Sequence, residues 1–394
     1  MILTKKQEEG LKIAVRRYKN HEPWTCIAGY AGTGKSTLVK FIVSALDIDP
    51  DYVCYVAYTG KASLVLKEKG CYNAMTAHRL LYQSYPRKDG TFYHKPKRPL
   101  DFPYKLIIVD EISMLPNEIW ELLLSHHIHV IALGDPGQLP PIGEDNGVLA
   151  KPHIFLDEIM RQAQESEIIR LTMDIRDNKP LELFKGNEVQ IIDKKDVVSG
   201  MYTWADQVLV AKNDTRRSTN QLIRDYLYKV GDDTTPINGD KVICLRNDWE
   251  NMNGAGDMMV NGTLGFIHNI RYNNSHPWLH PELLVDFIPE DRIPNLLEDD
   301  VPVDFYFRDL SLDNKLLTIG EPTINKNNFL RFPKIFKPKE FDYGYCITTH
   351  KAQGSEYDKV LVFEEFLRGG EHSRWLYTAA TRAREKLVIV RDSY

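Results

Sequence analysis

Short apolar runs alternate with amphipathic stretches through the first third of the chain. WTCIAG (24–29), YVCYVAY (52–58), YKLIIVDE (104–111) and HVIALGD (129–135) are brief and rich in β-branched or aromatic residues. Segments between them, such as STLVKFIVSAL (36–46), carry apolar residues at helical spacing. That alternation predicts βαβ units and a parallel sheet covered on both faces. It returns in QVLVAKND (207–214), DKVLVFEE (358–365) and EKLVIVRD (385–392). Residues 236–340 break the pattern: they are rich in Pro, Asn and Asp, with strand-like pieces at DKVICLRN, NGTLGFIHNI and LLVDFI. A small β domain inserted into a second α/β domain is expected there, and NGTLG has the chemistry of a hairpin turn. Residues 290–301 are acidic and read as a solvated loop.

Composition bounds this picture without changing it. A chain of 394 residues, 43% hydrophobic and 27% charged, is expected to fold as more than one globular domain. No run approaches the ~18 consecutive apolar residues of a membrane span, and MILTKKQEEGLKIAV lacks the apolar centre of a signal peptide. A cytoplasmic setting, bacterial or viral, is therefore expected. Cys26, Cys54, Cys71, Cys244 and Cys346 are scattered with no CxxC pair, which suits reduced thiols. His126, His127 and His129 read as a helix end leading into a strand rather than a metal site. The net charge of −5 and pI of about 6.2 argue against a protein that coats nucleic acid. Two locally basic segments, 86–100 and 331–339, leave room for a groove.

The chemistry is concentrated in a few places. GYAGTGKST (29–37) matches G-x-x-x-x-G-K-[ST] between a strand and a helix. Gly29, Gly32 and Gly34, with Ala31 and Thr33, allow backbone N–H groups to turn inward and cradle phosphate oxygens at a helix N-terminus. Lys35 would reach the β- and γ-phosphates and Ser36, followed by Thr37, would ligate Mg²⁺. About 75 residues on, LIIVDEIS places Asp110 and Glu111 at a strand end. Asp110 suits a carboxylate that holds Mg²⁺, and Glu111 suits the base that orients attacking water. A nucleoside triphosphate and its hydrolysis are the expectation. IALGDPGQLPPIG (131–143) supplies a third strand end with Asp135 and Gln138, where a γ-phosphate sensor would sit.

Together with ITTHKAQGSEYDKV (347–360) and YTAATRAREKLVIV (377–390), these motifs resemble the superfamily 1 helicases, closest to the 5′→3′ branch that includes RecD and Dda. The resemblance spans nearly the whole chain. It implies an α/β fold of two RecA-like P-loop domains, residues 1–150 and residues 151–235 plus 341–394, with ATP between them. A small β-hairpin insertion at about 82–104 would belong to the first, and 236–340 would form a small SH3-like β-barrel in the second. By the family pattern Gln7 would recognise adenine, Glu356 would lie beside the nucleotide, and Arg161 and Arg382 would reach the γ-phosphate from the second domain. Arginines supplied across a cleft stabilise transition-state charge only on closure, which couples chemistry to motion.

The strand track is read from VAYTGKAS and AMTAHRLL, where Thr59, Lys61, Thr76 and His78 would touch single-stranded DNA, and from Thr349, His350 and Lys351 on the second domain. For His78 a satisfied core histidine on an apolar helix is the alternative, which spacing alone does not reject. SYPRKDGTFYHKPKRP has two basic arms around an Asp-Gly turn, with Phe92 and Tyr93 placed either to stack on a duplex junction or to pack on their own domain. The expected activity is ATP-driven unwinding by a monomer on single-stranded DNA and its junctions with duplex, with replication or recombination proteins as partners. A translocase that strips proteins, an RNA helicase and a nucleotide-gated scaffold are the alternatives.

Overall fold

The computed structural model describes residues 3–86, 92–98, 102–140, 143–233, 235–245, 248–254, 258–273, 282–290, 306–312, 340–367 and 370–392. Its first sheet begins with β1 (Trp24–Gly29), β2 (Val53–Ala57) and β3 (Ala74–Thr76). The chain then leaves the sheet as an antiparallel hairpin of β4 (Tyr82–Pro86) and β5 (Phe92–Pro96). It returns with β6 (Leu106–Val109), β7 (His129–Gly134) and β8 (Ile154–Leu156). The six strands are parallel, in the order β3-β2-β6-β7-β1-β8. Alternate residues serve two cores: Cys26, Val56 and Ile107 face one helix layer, Ile27, Leu106 and Ile108 the other. A sheet buried on both faces is what continuous apolar strands dictate. Because β8 pairs with β1, the first domain runs past the expected boundary at 150.

The second sheet uses β9 (Phe184–Lys185), β10 (Val189–Asp193) and β11 (Gln207–Val210) before the insertion. After it come β19 (Cys346–Thr348), β20 (Tyr357–Phe363) and β21 (Ala383–Arg391). The order is β19-β11-β20-β21-β10-β9, parallel except for the edge strand β9. The inserted domain contains β12 (Lys241–Cys244), β13 (Asp248–Met252), β14 (Met258–Met259), β15 (Leu264–Asn273), β16 (Glu282–Pro289), β17 (Phe307–Leu312) and β18 (Phe341–Tyr343). Five of these form an antiparallel sheet, β17-β16-β15-β12-β18, around Val242, Ile267, Phe287 and Phe341. Among the described residues β17 and β18 remain its two edges. The insertion therefore extends to Tyr343 rather than ending at 340, since β18 pairs with β12. NGTLG does turn, with Gly262 at φ +91°, but it joins β14 to β15, which lie in different sheets.

The insertion is rooted on the helix Asn213–Tyr228 by the ion pair Arg224–Asp240, both side chains fully buried. The histidine reading holds: the helix Asn117–Leu124 ends, His127 takes φ +58° and His129 opens β7. No disulfide joins the described cysteines, and burial pushes the Cys26 and Cys54 thiols up to about 12. Among the described residues no helix is long and apolar enough to cross a membrane. Residues 331–339 and nearly all of the acidic run 290–301 lie outside the described residues.

Candidate active site

Three strand ends of the first sheet converge with one helix of the second domain. After β1 the loop turns through Gly32 at φ +76° and Gly34 at φ +79°, values that only glycine adopts readily. Gly34 then caps the helix Lys35–Leu46, so the loop's N–H groups gather at a helix N-terminus. Lys35 Nζ is folded back onto the loop, donating to the carbonyls of Gly29 at 2.6 Å and Tyr30 at 3.1 Å. The loop is braced from behind by Gln7, which is buried, closes a capping box with Thr4 and donates from Nε2 to the Thr33 carbonyl at 3.2 Å. Gln7, expected to recognise adenine, thus touches the phosphate loop itself.

Asp110 and Glu111 follow β6. Glu111 sits at φ +52°, a strained conformation for a residue with a Cβ, and its N–H donates to Asp110 Oδ1 at 3.1 Å. Burial, reinforced by the Glu111 charge and only partly offset by Lys35, pushes the Asp110 carboxyl up to about 6. A carboxylate crowded in this way, with Ser36 at the start of the neighbouring helix, is a donor set that suits a hard divalent cation. Asp135, after β7, is also buried, and burial raises its carboxyl.

Arg382 enters from the second domain. It is 4% exposed, donates from Nε to the Thr378 carbonyl at 3.1 Å and from Nη1 to the Ser355 carbonyl at 3.3 Å. Its Nη2 lies 4.0 Å from Glu111 Oε1. Gln138 fills the gap: with its amide nitrogen toward Glu111 Oε2 at 3.2 Å, its oxygen accepts from Arg382 Nη2 at 3.0 Å. One side chain therefore links the expected base of one domain to the expected arginine of the other. Arg161 opens the short helix Arg161–Gln164, whose preceding residue Met160 donates its N–H to the Gly32 carbonyl at 3.0 Å; the Arg161 side chain lies outside the described ones. Glu356 is placed 3.4 Å from Lys69 Nζ, across the gap between domains.

The expected track residues divide by what their side chains already do. Thr59 and Thr76 cap helices, accepting from the N–H of Ala62 and of Arg79, each at 3.2 Å. Thr349 is fully buried and its hydroxyl donates to the Val210 carbonyl at 3.3 Å. Lys61 lies 4.8 Å over the Tyr357 ring of the second domain, and Lys351 donates to Asn261 of the insertion at 3.2 Å. Burial lowers the His350 imidazole from its ordinary value. His78 is exposed between Tyr58 and Tyr82, 5.9 Å from each ring, in a row leading to the base of the β4–β5 hairpin. In that hairpin Tyr85 pairs with Tyr93 and Pro86 with Phe92; the Phe92 and Tyr93 side chains and residues 87–91 lie outside those described.

Sequence reasoning missed the contacts by which the second domain grips the segment 135–139. The Tyr377 hydroxyl donates to Asp135 Oδ2 at 2.6 Å and accepts from the Ala31 N–H at 3.1 Å. Thr378 Oγ1 accepts from the Leu139 N–H at 2.9 Å, and Gln353 Nε2 donates to the Leu139 carbonyl at 3.2 Å. All three side chains stand inside motifs already noted, HKAQGSE and YTAATRAR, but nothing in their spacing marks them as bridges.

The AAA domain family matches residues 3–201 and the UvrD-like helicase C-terminal domain matches residues 343–390. The ATP-dependent RecD2 DNA helicase of Deinococcus radiodurans is 27% identical over 91% of this chain and 46% of its own length. The ATP-dependent DNA helicase Dda of Enterobacteria phage T4 is 27% identical over 44% of this chain and 41% of its own. The chain thus spans less than half the length of each of these two relatives in the matched region. Pif1 helicase from Bacteroides, solved with ADP-AlF3 and single-stranded DNA, shares the fold at a TM-score of 0.54 with 18% identity, covering 100% of this chain and 93% of that one. With a phosphate loop and a cross-domain arginine at opposite walls of one cleft, the chain belongs to the AAA domain family, and its C-terminal segment matches the UvrD-like helicase C-terminal domain.

Proposed function

We propose that the protein is an ATP-dependent DNA helicase that translocates on single-stranded DNA in the 5′→3′ direction and separates duplex ahead of it. The observation that carries this reading is the Glu111–Gln138–Arg382 bridge, because it makes the hydrolytic base and the arginine of the other domain parts of one hydrogen-bonded unit. Glu111 orients the attacking water, Lys35 leaves the Gly29 and Tyr30 carbonyls for the phosphates, and Arg382 stabilises charge that develops on the transferring group. Ser36 and Asp110 would hold Mg²⁺, which neutralises phosphate charge when bound. Domain closure assembles these groups and opening disperses them, so grip on a strand alternates between the domains.

On the track, Lys61, His78, His350 and Lys351 offer cationic and aromatic groups suited to sequence-independent contacts. Thr59, Thr76 and Thr349 act from beneath, holding the backbone that carries those groups. The β4–β5 hairpin, with Phe92 and Tyr93 at its far end, is the proposed wedge at the junction.

The test uses matched duplexes bearing only a 5′ or only a 3′ single-stranded tail. Strand separation with ATP on the 5′-tailed substrate alone supports the reading, and equal activity on both tails overturns the polarity. Lys35→Ala and Glu111→Gln should each abolish DNA-stimulated hydrolysis; normal turnover in either would overturn the assignment of the site.

A further inference from the structure

The Tyr377 phenol occupies a place that the proposed reaction does not explain. Its ring is buried, 2% exposed, and its hydroxyl bonds at once to the Ala31 N–H of the phosphate loop and to the Asp135 carboxylate. Asp135 is further fixed by the Gly137 N–H at 2.8 Å. The ring lies so near Gly137 that a Cβ there would come within 3.0 Å of Tyr377 Cε1, so only glycine fits without displacement. One residue later, Thr378 accepts from Leu139 and also accepts from Arg382 Nε through its backbone carbonyl. Tyr377 and Arg382 therefore belong to one continuous piece, the helix His372–Ala380 and the turn that ends it.

That connection has a mechanical consequence. An arginine delivered from another domain is effective only if its position is fixed to a fraction of an ångström when the domains meet. Arg382 bonds to carbonyls of its own domain and reaches the first domain through Gln138 and, at 4.0 Å, the Glu111 carboxylate. Nothing in those contacts fixes the height of its helix against the phosphate loop, whereas the Tyr377 hydroxyl does so directly, by two hydrogen bonds to two different loops.

We propose that Tyr377 is a positioning residue: it docks the helix that carries Arg382 against the phosphate loop and Asp135, so that the arginine meets Glu111 and Gln138 in register. The proposal rests on the site being a hydrolytic one, but the docking itself is a property of the domain pair and is measurable without turnover.

The experiment combines kinetics with an interdomain distance. Tyr377→Phe removes one oxygen and keeps the ring against Gly137. DNA-stimulated kcat is expected to fall at least ten-fold while KM for ATP changes less than two-fold, a split that simple loss of packing would not produce. In the Arg382→Ala background the same substitution should change kcat by less than two-fold, because its effect runs through the arginine. Nitroxide labels at Lys40→Cys and Glu385→Cys, in a Cys71→Ser background, should give a narrow distance distribution that broadens with Tyr377→Phe. An unchanged distribution together with near-normal kcat overturns the proposal and leaves the hydrolytic reading standing. Broadening in a protein whose unlabelled parent hydrolyses no ATP upholds the docking and overturns the hydrolytic reading instead. A fully additive loss with Arg382→Ala also overturns it.

Discussion

Two clusters of charge lie inside this molecule, and they are built on opposite principles. At the root of the insertion, Asp240 accepts from Arg224 Nε at 2.9 Å, Arg224 Nη2 at 3.0 Å, Tyr345 at 3.0 Å and the Ile237 N–H at 2.8 Å. Arg224 completes itself on the carbonyls of Asp233 at 2.9 Å and Thr235 at 2.7 Å and stacks 4.1 Å from the Tyr343 ring centre. In the cleft the charges are nearby but incompletely matched: Lys35 rests on carbonyls, Arg382 stands 4.0 Å from Glu111, and Asp110 is pushed up to about 6. A buried pair hydrogen-bonded to each other and to the surrounding backbone holds a fold together. Charges gathered without full partners are arranged for a ligand that brings its own.

The sharpest way to break this contrast is to remove one member of each cluster. Arg382→Ala should lower DNA-stimulated ATP hydrolysis about 10³-fold or more, the range of cross-domain arginines. Steady-state turnover at saturating DNA measures it, and a loss below about ten-fold would mean that Arg382 is not at the reacting phosphate. Asp240→Ala should instead leave the Arg224 guanidinium buried without a counter-charge and cost about 3–5 kcal/mol of stability. Urea or thermal unfolding reads that directly. A variant of ordinary stability would show that water reaches Arg224 and that the cluster is not the root of the insertion.

How far the sequence shows such differences depends on the range of the physics involved. The phosphate loop is legible because its chemistry is local: glycines at positive φ, a preceding strand and a following helix all lie within GYAGTGKST and its flanks. The parallel strands are legible because burial on both faces makes them continuously apolar. The strand β8 was hidden by its length, three residues after Lys-Pro-His, and β18 by its distance from its partner β12. Arg382 is indicated only by family resemblance, since one arginine among several charges carries no local signal. Tyr377, Thr378 and Gln353 escape for a deeper reason: which side chains bridge two domains depends on how the sheets face each other, and no periodicity encodes that. The threonines are hard to assign from sequence, because a hydroxyl that caps a helix has the same sequence signature as one that meets a phosphate.

A gentler perturbation sets activity against stability within the cleft alone. Glu111→Gln removes the charge that, after burial, raises the Asp110 carboxyl, so it should stabilise the fold while abolishing hydrolysis. The sign with pH follows. The Asp110 carboxyl is raised above its ordinary value, so between about pH 4 and 6 the native state holds a proton that the unfolded chain has lost. Stability tied to this group is therefore lost as pH rises through that window, and the loss should be shallower in Glu111→Gln. Unfolding midpoints of the metal-free protein at pH 4.5 and 7 compare the slopes. Parallel slopes would mean that the two carboxylates do not interact.

The smallest effect tests whether a residue read as part of the track belongs instead with the satisfied cluster. Thr349 opens the helix Thr349–Ala352 with its hydroxyl shielded from solvent and donated to the Val210 carbonyl of the adjacent strand β11. Thr349→Val keeps the shape and removes the donor, leaving that carbonyl without its partner at a cost of about 1–2 kcal/mol. The unfolding midpoint should drop by a few degrees, roughly in proportion to that loss for a chain of this size. Affinity for single-stranded DNA, read by fluorescence anisotropy, should change by less than the roughly ten-fold that losing a direct contact of about 1.4 kcal/mol would bring. The reverse outcome, full stability with a ten-fold loss of affinity, would return Thr349 to the strand-contacting surface and move the floor of the track one layer deeper into the second domain.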